Sequence, residues 1–182
     1  RVGTQKMLLD FKGRKVIERC IEGMYDCCSR IIVVGGYKIE NLKPICNNYH
    51  KVTLVKNEDF ESGMFSSVRA GIKFVKAARF FLTPGDYPLI QKDTYSKMKN
   101  TKGDLIIPEF EGQRGHPVLI KSIFIDEILY STCYSNLRDF INTRKVTLCN
   151  VSDPGILWDI DNMSDYNKLI EYYRQKRNSE GY

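Results

Sequence analysis

Short apolar runs alternate along the chain with stretches whose apolar residues recur three to four positions apart, and that alternation already predicts a fold. The run "RIIVVGG" (residues 30–36) is continuous, β-branched and closed by glycines, which predicts a strand buried on both faces. "KVTLVKN" (51–57) and "ARFFLTPGD" (78–86) predict two more strands. Between them, "KIENLKPICNNY" (38–49) and "GMFSSVRAGIKFVKAA" (63–78) carry helical spacing. Strands and helices in this order predict a parallel sheet with crossover helices.

The second half is less regular. "GDLIIPEF" (103–110) and "HPVLIKS" (116–122) predict strands around the turn "EGQRG", and "KVTLCNV" (145–151) a further strand. "FIDEILYS", "LRDFINT" and "SDYNKLIEYYRQKR" predict helices. The sum is a mixed sheet in which a hairpin-like excursion joins a doubly wound core. In such open α/β sheets, ligands bind at the carboxyl ends of the strands.

Composition bounds the class. With 182 residues, 42% hydrophobic and 27% charged, the chain suits one globular domain with its own core. Its net charge of +6 is compatible with phosphate-rich ligands, but no block of five like charges occurs. The densest basic run, "YYRQKR", closes the last predicted helix, where cations favour the helix dipole; neither nucleic acid nor a membrane is an expected partner. Nothing approaches the roughly 18 apolar residues that a membrane span needs. Six cysteines occur without a C-x-x-C pair, and His50 and His116 are far apart, so zinc is not expected. Reduced thiols in a cytoplasmic protein are the expectation.

Several stretches carry candidate chemistry. In "FFLTPGDYPLI", Asp86 falls just past a strand end, where a carboxylate either holds Mg²⁺ or closes a turn on its own backbone. In "WDIDNMSDY", Asp159 and Asp161 flank Ile160, so extended backbone points both carboxylates one way while Ile160 packs. Ser164 is expected to cap the terminal helix, with Asp165 in its first turn and Asp161 open to a metal role. In "ESGMFSSVRAG", Gly63, Ser66 and Ser67 at a helix start either approach a nucleotide or merely cap. Arg114 and His116 in "EGQRGHPVLI" offer a phosphate donor, a base or a loop-orienting group. "RVGTQK" places Arg1 and Lys6 around Gly3, a pattern that suits polyphosphate but is not a Walker A loop.

Taken in order, these pieces resemble the MobA-like nucleotidyltransferase family, and within it the molybdenum cofactor cytidylyltransferase branch. "RVGTQKMLL" is similar to the second half of that family's signature L-A-A-G-x-S-x-R-M-G-x-x-K-x-L-L, with Val2 in place of methionine. "SGMFSSVRAG" resembles its G-M-x-x-S segment, "GDYP" its D-x-P metal motif and "GHPV" its G-H-P-V segment. "GILWDIDNMSDY" resembles the closing G-x-x-x-D-I-D-T-P-E-D-Y, with Asn162-Met163-Ser164 replacing T-P-E.

The resemblance implies a single α/β domain over residues 1–182, Rossmann-like and three-layered (α/β/α), with a mostly parallel mixed sheet of the nucleotide-diphospho-sugar transferase type. It also implies that the family's first strand and the L-A-A-G start of its loop are lacking from this sequence. The implied reaction is transfer of a nucleoside monophosphate from an NTP, CTP in this branch, to the phosphate of a molybdopterin acceptor, with release of pyrophosphate. Asp86 and Asp161 would hold Mg²⁺, and Lys6 and Arg1 would neutralise phosphate charge. Gly3, Gly63, Ser66 and Ser67 would line the nucleotide pocket, while Arg114 and His116 would face the acceptor. A molybdoenzyme is the implied client. Alternatives are another NTP, a sugar-phosphate acceptor, or a non-catalytic nucleotide-binding maturation partner of a molybdoenzyme.

Overall fold

A computed structural model describes residues 6–179, the side chains of 176–179 excepted. Seven strands, β1 (Ile31–Gly35), β2 (Val52–Lys56), β3 (Arg79–Leu82), β4 (Leu105–Phe110), β5 (Gln113–Arg114), β6 (Val118–Lys121) and β7 (Thr147–Asn150), lie among seven helices. The helices are α1 (Val16–Met24), α2 (Lys43–Cys46), α3 (Met64–Ile72), α4 (Lys92–Asn100), α5 (Ile125–Tyr130), α6 (Leu137–Asn142) and α7 (Met163–Ser179).

β1 and β2 pair in parallel, from Ile31 opposite Val52 to Gly35 opposite Lys56. The remaining strands form a second sheet around β4. Ile106 pairs with Leu119 on one side and Thr147 on the other, and Glu109 with Arg114 and Asn150 in the same way. β5 and β6 therefore share one edge of β4, and β7 takes the other. Because β6 is antiparallel to both β3 and β4, while β7 is parallel to β4, strands β3, β4 and β7 run in one direction. Three of the five strands of this mixed sheet share one direction, and β5 and β6 are the excursion that runs against them.

Alternate residues of each strand build the layers, because successive side chains point to opposite faces. Leu105, Ile107, Val118 and Ile120 pack with Phe65 of α3, Ile128 of α5 and Phe140 of α6. Ile106, Leu119 and Cys149 face the other way, onto Met98 of α4. Ile31 and Val33 of β1 meet Ile17 and Ile21 of α1. On the opposite face of β1, Gly71 of α3 lies so close that an added Cβ would stand 2.8 Å from Val34 Cγ2. The result is a three-layer α/β/α fold in which all six cysteines are free thiols.

Several sequence expectations need adjusting. β1 is buried at Ile31 and Val33 but only half-buried at Ile32 and Val34, so one face is less covered than its composition suggested. The helix expected over 38–49 is a single 3₁₀ turn at Ile39–Asn41 followed by the four-residue α2. Lys38 is left-handed at φ 52°, and Pro44 supplies no N–H, so a longer helix cannot start there. The terminal helix is capped by Asn162 rather than Ser164: Asn162 Oδ1 accepts from the amides of Ser164 and Asp165, and Asp165 accepts in return from Asn162 N. Helices α1 and α4 lie outside the sequence expectations. α4 is polar apart from Tyr95 and Met98, which leaves too few apolar positions to show a period.

Helix α7 ties the first described residues to the rest. Phe11, Val16, Ile160 and Leu169 form a buried cluster, and Tyr166 donates its hydroxyl to the carbonyl of Asp10. This clamp brings the 6–10 segment and the 159–161 segment together.

Candidate active site

Asp86 stands four residues beyond the end of β3, after the turn Thr83-Pro84-Gly85. Its backbone is fixed from two directions. Ile160 N donates to Asp86 O at 3.1 Å, and the buried Cys20 thiol of α1 donates to the neighbouring Gly85 carbonyl at 3.3 Å. Burial pushes the Cys20 thiol up to about 12, with the Asp86 charge adding to it, so Cys20 is a packing group rather than a nucleophile.

The Lys6 ammonium lies between two carboxylates distant in sequence. It is 3.1 Å from Asp86 Oδ2 and 2.9 Å from Asp161 Oδ1. The Asp86 side chain is 16% exposed and that of Asp161 is 71% exposed, so the first contact forms the floor and the second the rim. Burial lowers the Lys6 pKa, but the hydrogen bonds to Asp161 and Asp86 and their charges outweigh it and leave the group above the ordinary lysine value. Lys6 is a cation throughout the physiological range.

Around this trio the environment is acidic. Asp159 is raised from the usual aspartate value, by burial first and then by Asp161. Ile160 between them is fully buried, as the alternation predicted. The Tyr87 phenol is pushed up to about 12, chiefly by burial and then by Asp159, Asp86 and Asp161.

Tyr87 also packs edge-on against His116, with ring centroids 4.8 Å apart. Burial lowers the His116 pKa, opposed by the Asp86 charge and a backbone hydrogen bond with Leu82. Its Nδ1 is buried without a partner. The loop that delivers it depends on Gly115, where a Cβ would fall 2.3 Å from the carbonyl oxygen of Ile156. His116 N then donates to that same oxygen at 2.9 Å, ahead of a cis His116–Pro117 bond.

A second cluster sits at the end of β2. Asn57, 3% exposed, donates its amide to Gly35 O, so it prolongs the β1–β2 ladder. Its Nδ2 reaches Ser66 Oγ at 2.8 Å and Ser67 Oγ at 3.0 Å, and its Oδ1 accepts from Asp59 N. Ser66 Oγ in turn donates to the carbonyls of Asp59 and Gly63. Gly63, at φ 92°, makes the left-handed entry into α3 that a side chain would strain. Asn57, Asp59, Ser66, Arg69, Lys73 and Tyr134 border a groove of about 360 Å³.

The structure thus joins Lys6, Asp86 and Asp161 directly and sets His116 within electrostatic reach of Asp86. It gathers Gly63, Ser66 and Ser67 separately around Asn57. Arg114 is exposed on β5 opposite Glu109. Arg1 and Gly3 lie outside the described residues. Asn57 was passed over in the sequence, although a polar residue closing the β-branched run "KVTLV" was the available signal.

The donor set can be tested against Mg²⁺. Asp86 Oδ1 is buried with no hydrogen-bond partner, while Oδ2 takes Lys6. Two carboxylates, Asp86 and Asp161, share the Lys6 ammonium, and Asp159 adds to the acidic field around them. Among the described residues no group of three or more His, Cys, Asp or Glu forms a cage for a metal. The two carboxylates that meet at Lys6 suit a cation that prefers one or two carboxylates and fills its shell with water and phosphate oxygens.

Comparison with known proteins places the chain in a family. The profile of the MobA-like NTP transferase domain matches residues 1–148. A molybdenum cofactor cytidylyltransferase of Escherichia coli (strain K12) is 28% identical over 176 residues, covering 96% of this chain and 92% of the relative. The fold is shared with a nucleotidyl transferase from Methanothermobacter thermautotroptrophicus at a TM-score of 0.80 and 17% identity, covering 95% of this chain and 87% of that one. It is shared too with molybdopterin-guanine dinucleotide biosynthesis protein A from Archaeoglobus fulgidus, at a TM-score of 0.70 and 14% identity, covering 96% and 93%.

Proposed function

The chain belongs to the MobA-like NTP transferase family and is a nucleotidyltransferase, and we propose that it joins the CMP moiety of CTP to the terminal phosphate of molybdopterin. In that reaction an acceptor phosphate oxygen attacks the α-phosphorus of CTP. The new P–O bond forms as the bond to the β-phosphate breaks, and pyrophosphate leaves with the electron pair.

The observation that carries the reading is the contact of Lys6 with both Asp86 and Asp161. Chemistry of this kind asks the protein for position and charge rather than for a nucleophile. Asp86 and Asp161 would hold Mg²⁺, which when bound supplies Lewis-acid charge to the phosphate oxygens. Lys6, with Arg1, would hold the charge that grows on the α-phosphate and the departing pyrophosphate. Asn57 would fix Ser66 and Ser67 so that the start of α3 meets the nucleotide. Arg114 and His116 would address the acceptor, with His116 as a positioning group because a phosphate nucleophile needs no base at neutral pH. The E. coli relative is named a molybdenum cofactor cytidylyltransferase, which supports a cytidylyl donor and a molybdenum-cofactor acceptor. A molybdoenzyme would take the product.

The test is pyrophosphate release measured with each of CTP, GTP, ATP and UTP and with molybdopterin or a sugar phosphate as acceptor. Preference for CTP supports the reading. Preference for GTP transfers it to the guanylyl branch, and turnover only with a sugar phosphate overturns the acceptor.

A further inference from the structure

Lys6 occupies the space between the two carboxylates that the proposed reading gives to a divalent metal. Its Nζ lies within hydrogen-bond distance of Asp86 Oδ2 and Asp161 Oδ1 together, across 80 and 155 positions of sequence. Two of the ammonium's three N–H donors are engaged by these carboxylates, which leaves a single donor for phosphate oxygens. A cation seated on the same carboxylates would also be repelled by it at this range.

The geometry points to Lys6 as an internal counter-ion that blocks the metal carboxylates until a nucleoside triphosphate draws it away. The inference rests on the metal reading above. Without nucleotide, a divalent cation must displace Lys6 from Asp86 and Asp161 to enter. Without the cation, a triphosphate meets the Asp86 and Asp161 carboxylates with Lys6 held between them. When both arrive, the carboxylates take the metal and Lys6 swings to the phosphates, a movement within reach of its four-carbon stem. Metal and triphosphate therefore each tighten the other by one common factor, as thermodynamic linkage requires.

Two features favour exchange over a static bridge. Asp86 keeps Oδ1 buried and unpartnered, so Lys6 satisfies only half of that carboxylate. Asp161 is 71% exposed at the rim, where one ion pair contributes little and yields readily.

The test is the Mn²⁺ affinity of the purified full chain, followed by the loss of the free Mn²⁺ EPR signal, with and without α,β-methylene-CTP. Lys6→Gln is expected to bind Mn²⁺ alone about tenfold more tightly than the unaltered protein, from removal of one opposing charge at contact range. Lys6→Arg, which keeps the charge, is expected to stay weak. In the unaltered protein the CTP analogue is expected to tighten Mn²⁺, and adding Asp86→Asn to Lys6→Gln is expected to abolish the gain. If Lys6→Gln binds Mn²⁺ alone no better than the unaltered protein while the analogue still promotes binding, the counter-ion role is wrong and the metal reading survives. If Mn²⁺ binds neither protein under any condition, the metal reading falls and takes this inference with it. Coincident thermal melts of the variants show that all are folded.

Discussion

Asp86 offers one carboxylate oxygen to Lys6 at 3.1 Å and keeps the other buried without a partner. A buried acceptor left unsatisfied is a cost to folding, which a cation on Asp86 would offset. Asp86→Asn removes the charge and keeps the shape. Pyrophosphate release is expected to fall by about a hundredfold or more, the scale of losing a preorganised electrostatic contact. Thermal stability is expected to stay within about 1 kcal/mol, since the pair with Lys6 is partly solvated. Equal losses of activity and stability would make Asp86 an architectural residue.

Asn57 tests the second cluster. Asn57→Ala leaves the amide of Asp59 and the hydroxyls of Ser66 and Ser67 without their central partner. Losing hydrogen bonds to these half-buried and exposed partners costs about 0.5–1.5 kcal/mol each, read from denaturant unfolding. The loop that leads into α3 then loosens, and the KM for nucleotide is expected to rise more than kcat falls. A lowered kcat at unchanged KM would move this cluster away from nucleotide binding.

How much of this was legible in the sequence depends on how locally each feature is encoded. β1 and β2 announce themselves because a β-branched run is its own signal, β3 because its aromatic run "FFL" is another, and Asp86 is legible because it follows that run across a Pro-Gly turn. The reversed direction of β6 was visible as a hairpin around "EGQRG", but its place between β3 and β4 is a long-range pairing that no local pattern records. The contact of Lys6 with Asp161 is of the same kind. Each residue could be singled out, yet their meeting depends on the packing of Phe11, Val16, Ile160 and Leu169. The cap at Asn162 was misplaced by two residues because Ser164 is also a good cap, and only the hydrogen bonds choose between them.

Asp153 was invisible for another reason. In "VSDPG" it resembles an ordinary turn acid, yet it is 3% exposed and accepts from Gln91 N, Gln91 Nε2, Thr94 Oγ1 and Gly155 N. It ties the start of α4 to the 153–157 turn, and that turn holds His116 through Ile156 O. Asp153→Ala leaves several buried donors unmatched and is expected to cost at least about 2 kcal/mol in chemical denaturation. Loss of less than about 0.5 kcal/mol, the range of ordinary surface changes, would show that water replaces the carboxylate.

The pH dependence of stability has a sign that His116 and Asp159 set in opposite directions. Burial holds the folded His116 below its ordinary pKa of 6.5, so between the two values the unfolded chain binds the extra proton. Stability therefore falls as pH drops below about 6.5, and the loss is complete once pH passes the lower folded value. Asp159 is raised in the folded state above the ordinary 3.8, by burial first. The folded chain then takes up a proton before the unfolded one does, which relieves a cost as pH falls toward that lower range. The span just below about pH 6.5, where the unfolded His116 begins to take its proton, is the one in which its contribution is read. The thermal midpoint is expected to decline across it, and His116→Gln, which cannot titrate, is expected to flatten the decline without altering the carboxylate-driven change at lower pH. An identical slope in His116→Gln would mean that the buried imidazole does not govern acid sensitivity, and that its unpartnered Nδ1 finds a compensating group on protonation.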